Sequence, residues 1–158
     1  NIQHGEGRCR ALLHLLFPEK NATEIFHIDH LHPAKSFKKE ELKKHHSLTS
    51  NKELFDFYSA PEHWNSIANL HLLNNSQNLS KNDRPLKEWI DEECIHMTTQ
   101  DLLVEGVDLS FENFKTFYET RRLNLKQRLK SRVFLTKSIT EVIVISDSDE
   151  EVVEEESV

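Results

Sequence analysis

This chain predicts an α+β domain: two short strands set among helices, closed by one long helix. Three observations carry that reading. Two apolar runs, 26–31 and 70–73, have strand length and are bounded by turn or capping residues. Between them, residues 34–68 form a long excursion with helical patterning near 38–46 and near 51–58. Beyond Ser110 the apolar residues Phe111, Phe114, Tyr118, Leu125 and Leu129 recur at helical spacing, which predicts a core-facing stripe.

Taken in order, residues 8–17 read as a short buried helix stopped by Pro18, and 19–24 as a polar connector. The first strand ends at Pro33, which cannot continue a ladder. After the second strand, Asn74 to Ser76 can cap a helix running to about Asn82. Pro85 suits the first position of a further helix with Leu86, Trp89, Ile90 and Cys94 on one face. The closing helix carries Lys115, Arg121, Arg122, Lys126, Arg128 and Lys130 on its other face. That face is either solvated or a phosphate-tracking surface, with Arg121, Arg122 and Lys126 as the candidate contacts. Residues 1–135 are expected to form one domain, and 136–158 an acidic, disordered tail.

At 158 residues the chain is long enough to bury a core without staples. Cys9 and Cys94 are far apart with no CxxC, so neither a disulfide framework nor a cysteine-based zinc ribbon is indicated, and a reducing compartment is expected. No apolar run reaches roughly eighteen residues and no secretory leader is visible, so the reading is intracellular: cytoplasmic in a bacterium, nuclear in a eukaryote. The first residue is Asn1, not Met, which suggests a fragment or a processed product. The net charge of -7 is concentrated at one end. Residues 141–158 hold eight acidic side chains and no Lys or Arg, leaving 19 acidic against 20 basic residues in 1–140. A nearly neutral body with local basic clusters is compatible with nucleic acid, because phosphate contacts depend on local charge.

The chemistry-bearing residues sit at the ends of the two strands. The run Phe26-His27-Ile28-Asp29-His30-Leu31-His32-Pro33 sets a carboxylate beside an imidazole. The run from Asn69 to Lys81 adds a strand, then Asn78 and Lys81 three residues apart on a helix. Phosphodiester hydrolysis needs a deprotonated water, a stabilised leaving oxygen and neutralised phosphate oxygens. Neutral imidazole suits the first task, and His30 is the candidate base. A hard cation such as Mg²⁺ or Mn²⁺ needs only one or two protein oxygens, which Asp29 and Asn78 can supply as one site for one ion. His27 alternates onto the strand face of Asp29, as an extra ligand, a partner of that carboxylate, or a structural histidine. His32, His45, His46 and His71 read as surface or packing residues, and His63-Trp64 as an anchor for the second strand with Trp64 in the core.

This pattern resembles the HNH, or ββα-metal, nuclease finger. The resemblance assigns Asp29 and Asn78 to the metal, His30 to the general base, and Asn69 to bracing the loop and orienting that base. Lys81, one turn after Asn78, is expected to steady a phosphate. A narrower resemblance, over roughly residues 8–132, is to the C-terminal nuclease domain of GmrSD-type modification-dependent restriction enzymes. It rests on 27–33, on 67–73, on Asn78-Leu79-Ser80-Lys81 and on Phe117-Tyr118-Glu119-Thr120-Arg121-Arg122. Those enzymes usually carry an upstream nucleotide-hydrolysing domain with no counterpart here, so no nucleotide binding is expected. The resemblance implies a finger embedded in a mainly helical domain, acting on DNA, most simply double-stranded, in a restriction-like defence. It also implies attack by water with a 3′ oxygen leaving and a 5′-phosphate remaining.

Two rivals are open at this level. One is a binding or adaptor module that keeps the finger but does not cut. The other is a zinc site from His27, His30 and His32, which leaves Asn69 and Asn78 unexplained. At the C-terminus, Val142, Ile143, Val144 and Ile145 precede Ser146-Asp147-Ser148-Asp149-Glu150-Glu151. An extended apolar run with an acidic flank resembles a SUMO-interacting motif that adds a strand to a partner's sheet edge, and Ser146 and Ser148 sit in a setting that suits phosphorylation. The alternative is a disordered solubilising tail.

Overall fold

The computed structural model describes residues 2–20, 24–92 and 97–148, with side chains described as far as residue 134. Helix α1 spans Gly7–Leu16 and buries Cys9, Leu13 and Leu16 on one stripe. Its end is tied by the Phe17 amide to Leu13 O, just before Pro18. Strand β1, Phe26–His30, pairs antiparallel with β2, Leu70–Asn74, so that Asp29 stands opposite His71 and His30 opposite Leu70. No described helix is long and apolar enough to cross a membrane.

The excursion between the strands folds into short helices. A 3-10 turn, Ala34–Phe37, leads to α2, Lys39–Leu42, and α3, His46–Thr49; the single piece expected near 38–46 is therefore divided. Helix α4, Lys52–Ser59, starts on Asn51, whose side chain accepts from the Leu54 amide. Helix α5, Pro61–Trp64, has Pro at its first turn. His63 anchors this stretch as expected: its ring stacks on Phe57 at 3.8 Å and its Nδ1 lies 2.7 Å from Phe57 O. Trp64 lies at the core's margin, half-buried and stacked on Phe37.

Strand β2 runs straight into α6, Asn75–Lys81, through a capping box. Asn74 Oδ1 accepts from the Gln77 amide at 2.9 Å, and the Asn74 amide donates to Gln77 Oε1 at 3.1 Å. Asn82 ends the helix at a positive φ of 40 with ψ -133, outside the left-handed helical well. Two antiparallel strands are thus followed immediately by a helix. Helix α7, Leu86–Ile90, takes Pro85 as its cap, one position earlier than expected; Cys94 lies outside the described residues.

A 3-10 turn, Phe111–Asn113, opens into α8, Phe114–Ser148. Its first half docks across two apolar clusters. One gathers Leu31, Phe37, Tyr58, Leu73, Trp89, Phe114 and Phe117; the other gathers Cys9, Leu13, Phe17, Phe26, Leu70, Leu72 and Leu125. β2 lies between them and contributes to both.

The expected boundary at 135/136 falls inside α8. Its backbone is helical through Ser148, so Val142 to Ile145 lie on a helix and not in the extended run the sequence predicts. Once the docked turns have met the nucleation cost, each added residue gains a hydrogen bond, and a β-branched residue forfeits only about half a kcal/mol of propensity. Residues 149–158 lie outside the described residues.

Candidate active site

Asp29 and His30 close β1. Asp29 Oδ1 accepts from the His30 amide at 2.8 Å, which ties the carboxylate to the strand end. The His30 ring is placed by a residue the sequence reading missed. Its Nε2 lies 2.9 Å from Asn65 Oδ1, an oxygen that can only accept. Nε2 therefore carries the proton, and Nδ1 is the nitrogen with a lone pair to offer. Burial holds His30 below the ordinary imidazole range, the Asn65 bond working against it; the nearby His4 lowers it further, while Asp29 raises it. The neutral, basic form is the one this setting favours.

Asn69 is fully buried and binds three backbone groups. Its Oδ1 accepts from the His32 amide at 2.9 Å, and its Nδ2 donates to His32 O at 2.9 Å and to Trp64 O at 2.8 Å. Leu31 N also donates to Asn69 O at 2.8 Å. The residue thus staples the segment after His30 to the turn that carries Asn65. It braces the loop, while direct contact with the base belongs to Asn65.

Asn78 and Lys81 are three residues apart on α6 and share a face. Lys81 feels Asp29 as its strongest neighbouring charge, and α6 packs against β1. One carboxylate and one amide oxygen make a donor set that suits a hard divalent cation, which keeps waters and takes substrate oxygens for the rest. His27 is half-buried on the strand, paired with Leu73.

Two expectations need correction. Lys81 does not reach out to a phosphate: it is fully buried, its Nζ donates to Arg84 O at 3.3 Å, and it lies over the Trp89 ring at 5.9 Å. Burial, opposed by Asp29, brings its pKa down to about 8. Arg121 is no phosphate contact either. It is fully buried and donates to Leu102 O, Ala68 O and Leu70 O at 2.8–2.9 Å, beneath the segment that carries Asn69. The zinc alternative gains no support either. His32 is buried against Phe114 and Phe117, and among the described residues no group of three or more His, Cys, Asp or Glu is placed to hold a metal.

Arg122 and Lys126 are exposed, and they border a cavity of about 250 Å³ between α1 and α8 with Leu12, Leu16, Leu125 and Leu129. Neither Asp29 nor His30 borders it. The cavity of about 330 Å³ beside His32, Pro33 and Phe111 likewise does not include them. A phosphodiester backbone is a surface ligand, so the dyad's position outside both cavities is compatible with such a substrate. No protein-family model matches the chain, and no curated protein matches it.

Proposed function

We propose that this chain is a metal-dependent DNA endonuclease. The observation that carries the reading is the His30–Asn65 bond beside Asp29: an imidazole held in one tautomer, with a lone pair free, next to a carboxylate on a strand end facing a helix. His30 Nδ1 takes a proton from water as the oxygen attacks phosphorus. Asn65 holds the ring during the transfer and accepts from Nε2–H more strongly as the ring becomes cationic. Asp29 and Asn78 would hold the divalent ion, whose chemistry is to stabilise the leaving 3′ oxygen as it gains charge. The products are a 5′-phosphate and a 3′-hydroxyl, and the resemblance to the ββα-metal finger supports DNA as substrate.

Supercoiled plasmid tests the proposal. Nicking is expected with Mg²⁺ or Mn²⁺, with nicks that DNA ligase reseals, and none in EDTA. Asp29→Ala and Asn78→Ala are each expected to slow it by about a hundredfold or more. Nicking that persists in EDTA, or at full rate in Asp29→Ala, would exclude the metal role.

A further inference from the structure

With Lys81 and Arg121 both buried, the phosphate oxygens in this site need another partner. The N-terminal arm brings one. Gln3 pairs with Ser66 in an antiparallel bridge, Ile67 N donates to Ile2 O at 2.9 Å, and His4 N donates to Asn65 O at 3.1 Å. Gly5, at φ 89, then turns the chain toward α1, a conformation that suits glycine. The arm is therefore anchored through residues 2, 3 and 4 to the turn that also carries Asn65.

The His4 ring lies 5.2 Å from the His30 ring, tilted by 36°, yet His4 is exposed. Among the described residues its side chain makes no hydrogen bond or ion pair. Its neighbour Glu6 is already engaged, accepting from the Gln3 amide at 2.7 Å and from Arg8 at 3.0 Å, so that carboxylate is partly neutralised. An exposed imidazole over the base, with a donor to spare, is suited to an anionic substrate.

We propose that His4 is a phosphate-contacting residue of this site, its ring N–H donating to a non-bridging oxygen of the phosphodiester that His30 serves. This rests on the nuclease reading. The contact needs one N–H, which imidazole has in every protonation state, and a cationic ring strengthens it.

The competing role is packing alone, with His4 a cover for His30. Three variants separate the two: His4→Ala removes ring and donor, His4→Phe keeps a ring without a donor, and His4→Lys keeps a charged donor without the ring. Plasmid nicking is expected to fall about 10- to 100-fold in Ala and Phe, with more DNA needed for half-saturation, and to recover most of that loss in Lys. Wild-type nicking in the Phe or Ala variant, or a Lys variant no better than Ala, would overturn the proposal while leaving the nuclease reading intact. Should wild type fail to nick, that reading falls and binding decides the contact. The affinity for a labelled DNA duplex, read by anisotropy, should fall for His4→Phe, and the salt slope should weaken by up to about one to the extent that the ring is cationic; an equal affinity overturns it. Should His4→Phe not fold, Ala against Lys carries the same comparison.

Discussion

Replacing Arg121 by methionine is expected to lower stability by about 3–5 kcal/mol, the scale of a broken buried charge network. The guanidinium is buried with backbone carbonyls as its acceptors: Nε binds Leu102 O, Nη1 binds Ala68 O and Leu70 O and reaches Ile67 O at 3.3 Å. Nη2 lies 3.3 Å from His71 Nδ1. Burial alone brings its pKa down to about 9, because the charge is costly there. Methionine fills similar space and removes that cost, but it strands several buried oxygens at once. Lysine offers one ammonium where a planar fork is required, so it should rescue little. Urea denaturation reads the effect; a loss under about 1 kcal/mol would mean water replaces the guanidinium readily.

Acid is expected to destabilise this fold well before most carboxylates titrate. His32 is fully buried, and burial, helped by Lys81 and Arg121, pulls its pKa down to about 3. His71 is driven well below the ordinary range by burial, with Arg121 next. Both are neutral when folded and free to protonate when unfolded. The unfolded chain therefore binds more protons between about pH 6.5 and 3, and stability falls as pH drops through that window. Each histidine contributes a slope of about 1.4 kcal/mol per pH unit, on the order of 5 kcal/mol for His32 across it. His32→Leu should flatten the slope, because Asn69 binds only the His32 backbone. An unchanged slope in that variant would show that His32 protonates without unfolding.

The frame of this fold was legible where the cues are local. Pro18 and Pro33 stop elements, and Asn74 caps α6 directly after β2, so two strands followed by a helix could be read from residues close in sequence. Asn65 was not legible, because it meets His30 across an excursion whose folding is a tertiary matter. Lys81 misled for a physical reason: on α6 the apolar Leu79 is 72% exposed while the cation is buried, the reverse of an amphipathic helix. Arg121 carries a readable signal of burial. It lies four residues after Phe117 and four before Leu125, on the buried stripe and not on the charged face. The apolar run at 142–145 suits an extended segment by residue type, whereas α8 continues through it.

Nicking of supercoiled plasmid in Mg²⁺ by wild type and His30→Ala, side by side, tests the central claim most directly. Losing the base should slow cleavage by about 10²–10⁴-fold, while the circular dichroism melt and divalent-ion binding change little. Cleavage at the wild-type rate in the variant would contradict the account, because no other residue has been given the proton that His30 removes.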